Sequence, residues 1–463
     1  MPGSRPTLST RPEQTAFPRV IRVMRRALLA AVLVLGACTP PAAERSPSAP
    51  PSSSGASPLT VRAAGTLVRS DVARASGDLE SARRAAAALA ALDADLFAQL
   101  AKGDGNLVFS PYSVATALAM TRDGAVGKTR AEMDAVLHAS DAGDLDAAFN
   151  ALDRALAKRP GSYPFGNITV PLELGTANQL FVQRDLELAK AYLDQLAAYY
   201  GTGVGVVDYI AAREDARKTI NAWVSDRTKT RIPELVPQGV LDDLTRLVLV
   251  NAIYLKARWE VPFEKSFTKA APFHRLDGSD AQAELMRLGT MPNLPYARGT
   301  RFQAVSLPYL GGLSMVLVVP DAGSFAAVQS SLGDASTLRG MLDLPSRKIV
   351  RLSMPKFQLR SSAMLKGTLS KLGMPLAFTE NADFSAMAPR EKLLLQEVAH
   401  QAFVAVDEDG TEAAAATAVI AGATSAPSNV VELTIDRPFV FAIRDDETGA
   451  ILFMGRVVDP TAK

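Results

Sequence analysis

One cysteine, Cys38, in 463 residues rules out an internal disulfide and any cysteine-rich metal site. Histidine is nearly as scarce: His138, His274 and His400 are too scattered to make a ligand pair of the H-E-x-x-H kind. Charge of one sign is not in excess either. Fifty Lys and Arg stand against 48 Asp and Glu, and no basic run is long enough to form a nucleic-acid face. A nucleic-acid partner is therefore not expected, nor is a metal or other cofactor. Two enzymatic motifs are also missing. No G-x-S-x-G elbow occurs, and the stretch from Gly124 to Thr129 only imitates a phosphate loop, because Arg122 stands where G-x-x-x-x-G-K-T needs its first glycine. The chain does not read as an enzyme.

What is present begins with 48% hydrophobic residues, enough over this length to bury a large core in one big domain or two ordinary ones. Residues 24–38 give a basic start, a short apolar run and small residues before the cysteine, which is the pattern of a secretory signal peptide too short to span a bilayer. Met24 is a candidate true start. The run Leu35, Gly36, Ala37, Cys38 resembles a bacterial lipoprotein processing box, in which Cys38 would become the acylated first residue; an ordinary signal peptide with an incidental cysteine is the alternative. Residues 1–38 are thus assigned to the signal region and 39–78 to a Pro-, Ser- and Ala-rich tether that cannot bury a core. Residues 79–463 remain for the folded domain. The protein is expected to be exported and either lipid-anchored at the cell envelope or extracellular.

Within that domain, helical spacing is expected from about Leu79 to Leu100, and Ser110 and Pro111 punctuate the start of a second helix. The run from Leu247 to Leu255 is nearly continuous apolar and β-branched, the pattern of a strand buried on both faces. Asn251 in its middle must then meet polar groups arriving from elsewhere, such as a serine or a histidine. No repeat and no alternating strand-helix order appears, which favours a mixed α+β domain. The stretch from Glu408 to Pro427 has an unusual pattern. Read by period two, Thr411, Ala413, Ala415, Thr417, Val419, Ala421 and Ala423 form a face that is entirely small or apolar, and the only charge, Glu412, lies on the other. A strand with such a face could slide into a sheet without forcing charge or bulk into the core. A short alanine-rich helix is the competing reading. Gly410, Pro427, the threonines and the β-branched residues fit an exposed loop with strand potential better.

Several blocks resemble the serpin family, in that family's order and spacing, over residues 79–463. They are Asn106 with Phe109-Ser-Pro-Tyr-Ser113, Leu249-Val-Asn-Ala-Ile-Tyr254 with Trp259-Glu-Val-Pro-Phe263, Ser353-Met-Pro-Lys-Phe357, Ala382-Asp-Phe-Ser385, Leu433-Thr-Ile-Asp-Arg-Pro-Phe-Val-Phe-Ala-Ile443 and Phe453-Met-Gly455. The resemblance implies an α+β fold with three β-sheets, eight or nine helices and an exposed reactive-centre loop. It further implies that Glu408, Gly410, Thr411, Glu412, Ala413, Ala414, Ala415 and Ala416 form the hinge of that loop. Ser110, Ser113, Asn251 and His400 would form the polar cluster beneath the opening of the central sheet, with Trp259 where the loop first inserts. Counting from the hinge places the reactive bond at Thr424-Ser425, with Ala423 and Ala421 as alternative positions.

The function so implied is suicide-type inhibition of serine endopeptidases, with cysteine endopeptidases as a further class; a serpin-fold binding or carrier protein that never inserts its loop is the alternative. The hinge discriminates between them, since its inward face carries no proline, charge or bulky residue. Around Thr424 there is no Arg, Lys or aromatic residue. Proteases with shallow pockets for small residues, elastase-like or subtilisin-like, are the expected partners of a monomeric inhibitor.

Overall fold

The computed structural model describes residues 59–60, 65–412 and 429–462. Helix α1 (Leu79–Leu100) begins where the Asp78 carboxylate accepts the Ser81 N–H at 2.8 Å. Its Ala82, Ala85, Ala86, Leu89, Leu92, Leu96 and Phe97 recur at three- and four-residue spacing as one buried stripe. Helix α2 (Pro111–Arg122) is capped by Ser110, has proline in its first turn and is buried from Pro111 to Thr121, so it lies inside the molecule. Helix α3 (Arg213–Arg227) instead covers an outer face through Ala216, Ile220 and Val224. Ten α-helices occur among the described residues, counting the single turn Ala139–Ala142.

The main path of the central sheet has, in chain order, β1 (Leu67–Val68), β2 (Ile168–Gln183), β3 (Val204–Val207), β4 (Leu247–Arg258), β5 (Phe357–Met364), β6 (Glu397–Val406) and β7 (Gly410–Thr411), and an eighth strand, Gly161–Phe165, pairs off this path with the start of β2. Their spatial order is β5-β6-β7-β4-β2-β3-β1. Every residue of β4 except Lys256 is buried, because both faces are covered. Val248, Val250 and Ala252 pack under α3, while Leu247, Leu249, Ile253 and Leu255 face the main core. A second strip of strands runs from Leu107–Phe109 through Ile451–Val457, Phe439–Asp445, Leu313–Pro320, Phe302–Tyr309 and Asn293–Arg298. It is joined by Ser346–Pro355 to Asp280–Arg287 and Lys269–His274, so that two sheets meet in one strip beside the central one.

The seam between β4 and β6 positions the site. These strands pair directly and in parallel from Val248 opposite Glu397 to Tyr254 opposite Phe403, then part. In the fork lies β7, antiparallel to both, with Thr411 opposite Val406 and Ala257 and Gly410 opposite Arg258. A β-carbon on Gly410 would lie 2.1 Å from the Ala257 carbonyl oxygen, so only glycine lets the chain pass there.

Residues 65–78, assigned to the tether on composition, are instead held on the body. β1 extends the sheet beside β3, and the Arg74 guanidinium donates to Asn150 Oδ1 at 3.0 Å and Asp153 Oδ2 at 2.6 Å. A strand of two residues is too short to show a period in the sequence, which is why composition missed it.

Candidate functional site

The structure brings Ser110, Ser113, Asn251 and His400 together with a fifth residue, Asn178. Asn178 on β2 is opposite Asn251 on β4, which is opposite His400 on β6, so three polar residues cross the sheet in one row. The N-terminus of α2 meets this row. The Ser110 N–H donates to His400 Nε2 at 3.1 Å, which fixes the proton on Nδ1, and Nδ1 donates to Asn251 Oδ1. Asn251 Nδ2 in turn donates to Ser113 Oγ at 2.7 Å and Asn178 Oδ1 at 2.6 Å. Ser113 Oγ donates to Asn178 Oδ1 at 2.6 Å, and its backbone N–H to Ser110 Oγ at 3.2 Å. Each buried polar atom in the row thereby has a partner, as an apolar sheet requires.

Burial pushes the His400 imidazole down to about 3 from an ordinary 6.5. The geometry supplies a second reason: a charged ring would direct a proton from Nε2 at the Ser110 N–H, itself a donor. Any strand placed between β4 and β6 must break the bond from His400 to Asn251, so the row works as a clasp on the seam.

Above the clasp, the hinge is seated in the fork. Thr411 is fully buried and its hydroxyl bonds the Tyr309 hydroxyl at 2.7 Å. The Trp259 ring stacks on Tyr309 with centroids 4.1 Å apart, and its indole N–H donates to the Asp407 carbonyl at 3.0 Å. The backbone N–H of Trp259 reaches the Asp409 carbonyl at 3.0 Å, so the tryptophan holds the approach to the hinge at two points. The three acids of residues 408–412 are each met by cations. Glu408 pairs with Lys356 at 2.8 Å and accepts from the Thr268 hydroxyl at 2.6 Å; burial would raise its carboxyl, but these two partners bring it below its ordinary range. Asp409 meets Arg258 at 3.1 Å and Lys265 at 2.7 Å, and Glu412 meets Arg231 at 2.8 Å.

Ala413, Ala414, Ala415 and Ala416 of the hinge lie outside the described residues. So do the reactive-bond candidates Thr424, Ser425, Ala423 and Ala421, as well as Cys38. The sequence reading missed Asn178, Tyr309 and the cations Lys356, Arg258, Lys265 and Arg231. Asn178 had a signal, since it breaks an otherwise strand-like run as Asn251 does. Among the described residues no cluster of three His, Cys, Asp or Glu side chains is placed to hold a metal ion.

Comparison with known proteins agrees with this geometry. The family model described as Serpin (serine protease inhibitor) matches residues 87–460. An uncharacterised serpin-like protein of Thermococcus kodakarensis is 38% identical over 371 residues, covering 79% of this chain and 83% of its own length. Leukocyte elastase inhibitor A of Mus musculus is 36% identical over 366 residues, covering 77% of this chain and 93% of its own. A solved structure of a serpin from the insect Tenebrio molitor superposes with a TM-score of 0.70 at 30% identity, covering 80% of this chain and 97% of that one.

The depressed His400 value sets a pH dependence. A base with its folded value at about 3 and its free value at 6.5 favours the neutral, folded form. Its stabilisation is complete above about pH 6.5 and is lost as pH falls toward 3. Between pH 7 and pH 5 the closed sheet should lose about 2 kcal/mol through this group, read as a drop in the urea midpoint. His400→Gln should lower stability at pH 7 and flatten that part of the slope. An equal pH slope in wild type and variant would show that His400 is not the group responsible.

Proposed function

This chain belongs to the serpin family of serine protease inhibitors and is not an enzyme, and we propose that it is a suicide-type inhibitor that traps its target by loop cleavage and insertion into the central sheet. The observation that carries this reading is the seating of Thr411 between β4 and β6 with the seam closed below it. A protease that attacks the segment beyond Glu412 forms an acyl-enzyme at the cut residue. The freed segment then extends β7 down the seam and carries the enzyme with it. From Thr411 to Thr424 that is about 45 Å at ~3.3 Å per residue, enough to reach the far end of the sheet. The clasp row opens as the strand passes.

The reactive bond is proposed at Thr424-Ser425, with Ala423 or Ala421 as the alternative cut positions. An acid at the base of a trypsin-type pocket would be left buried without a partner by Thr, and a deep apolar pocket would be left partly empty. Elastase-like or subtilisin-like proteases are therefore the proposed targets, a choice supported by the kinship with leukocyte elastase inhibitors. The protein is proposed to act as a monomer, exported and anchored to a membrane through an acylated Cys38, on the signal-peptide and lipoprotein-box pattern of residues 24–38.

Two measurements test the inhibitory reading. Mixing with an elastase should give a complex that survives SDS, with the cut mapped by mass spectrometry to Thr424 or one of its two alternatives and the melting temperature raised sharply after cleavage. Inhibition of trypsin but not elastase would overturn the specificity, and an unchanged melt after cleavage would overturn insertion.

Thr411→Arg probes the register. Its side chain sits against Tyr309 in a space with no room for a charge, and an unpaired buried charge costs several kcal/mol. The variant should be cut as a substrate with little stable complex, and complex formation at the wild-type ratio would refute the register.

A further inference from the structure

The chain leaving α3 crosses the central sheet in a strained turn. Lys229 and Thr230 both adopt left-handed backbone, with φ of 51° and 63°, which residues carrying a β-carbon do at a cost. The turn is nevertheless firmly tied. Thr230 N–H donates to the Ser225 carbonyl at 2.7 Å, Arg231 N–H to the Thr228 carbonyl at 2.9 Å, and the Thr228 hydroxyl accepts from Ile232 N–H at 3.2 Å. Thr228 and Ile232 are fully buried.

Its position is set by one row of the sheet. Gly175 on β2, Tyr254 on β4, Phe403 on β6 and Arg360 on β5 lie opposite one another across four strands. At one end of the row, a β-carbon on Gly175 would come within 2.7 Å of the Arg227 carbonyl oxygen. At the other, the Arg360 guanidinium, 5.4 Å above the Phe403 ring, donates to the Arg231 carbonyl at 3.0 Å. The turn thus bridges the seam at the last row where β4 and β6 are paired, directly below β7.

Glu412 meets the turn there. Its N–H still donates to the Ala405 carbonyl at 3.1 Å, but its φ of 52° is not that of an extended strand. The carboxylate is almost wholly buried, accepts from Arg231 Nε at 2.8 Å and 3.0 Å, and lies beside the Tyr254 phenol. An extended strand has φ near −120°, so prolonging β7 requires a rotation of about 170° at Glu412. That rotation moves the Glu412 side chain with it and withdraws the carboxylate from Arg231 and Tyr254.

We propose that Arg231 is a positioning residue for loop insertion, a latch that with Tyr254 holds Glu412 in its left-handed turn and so halts β7 after Thr411. The proposal rests on the reading that the loop inserts. It does not depend on which protease, if any, is trapped. The latch keeps the uncut loop from zipping spontaneously and yields once a cut frees the far end.

The test is run without protease. Wild type, Arg231→Ala, Arg231→Lys, Glu412→Gln and the double variant Arg231→Ala with Glu412→Gln are held a few degrees below the melting point, and the fraction of urea-resistant monomer is followed over time. Arg231→Ala and Glu412→Gln should convert roughly fivefold faster or more than wild type, a change in rate in keeping with loss of one half-buried ion pair. The double variant should be no faster than either single one, because both remove the same contact. Arg231→Lys, which keeps the charge, should stay within about twofold of wild type. Single variants at or below the wild-type rate, or a double variant whose effects multiply, would overturn the latch. If no protein, wild type included, gives a urea-resistant form, insertion itself fails. An absence of SDS-stable complexes alongside the expected rates would overturn inhibition and leave the latch standing.

Discussion

The bond from His400 to Asn251 is the constraint on which the rest of this structure depends. It crosses the seam where β4 and β6 pair directly, and it ties the two strands together there. Above and below it, β4 and β6 present Val248, Leu249, Val250, Ala252, Ile253, Val398, Ala399 and Ala402, all buried and all without a polar group on the side chain. Apolar contacts alone are non-directional and would tolerate many degrees of opening. A buried hydrogen-bonded row does not, because separating the strands leaves several donors and acceptors dry and unpaired at once. The cluster therefore turns a gradual opening into a step. Its partner on the core side is the N-terminus of α2, whose Ser110 N–H selects the imidazole tautomer, so the clasp also reports whether that helix is in place.

The fork above the clasp is governed by charge. Glu408, Asp409 and Glu412 are buried or nearly so, and each has a cation within 3.1 Å. Ion pairs of this kind contribute little to net stability, since taking the acids out of water offsets most of the attraction. Breaking one by removing a single partner is far more disruptive than the pair is stabilising. Such pairs consequently fix geometry more than they add stability, and what they fix here is the point where β7 stops. The Trp259 and Tyr309 stack does the complementary work from the core side, giving Thr411 a floor of aromatic surface and one hydroxyl to bond.

Much of this was legible in the sequence because the polar residues concerned interrupt apolar patterns. Asn251 inside a run of aliphatic residues had to be paired, and His400 and the serines before α2 were natural partners once the family resemblance was seen. The burial of Thr411 was legible for the converse reason, that nothing on its side chain resisted it, while the rest of that small face lies outside the described residues. Three things were hidden. Asn178 interrupts its strand as Asn251 does, but beside Gln179 in a half-buried run it stood out less. Tyr309 and the cations Lys356, Arg258, Lys265 and Arg231 are brought to the hinge from four distant segments, and an isolated lysine or arginine in a sequence carries no mark of its partner. The strand of residues 67–68 is too short for any period, and its place is fixed by the open edge of β3 and not by its own composition.

Under the insertion proposed above, energetics account for the small face read in the sequence from Thr411 onward. Each residue added to β7 gains ladder hydrogen bonds worth about 0.5–1.5 kcal/mol, and ordering its backbone costs about 1–2 kcal/mol. These nearly cancel, so burial decides the sign. An inward alanine contributes only about 0.8 kcal/mol for its methyl group, and only every second residue points inward. On these figures the balance per residue is close to zero, and its sign rests on what is buried. One unpaired charge on the inward face, at several kcal/mol, would cancel the contribution of many alanines. Glu412 is compatible with that pattern because it lies on the opposite face, and in the structure its carboxylate is held by Arg231. The same arithmetic gives that residue its leverage: where each step of zipping is nearly neutral, a single contact that must break at the first step sets the rate of all those that follow.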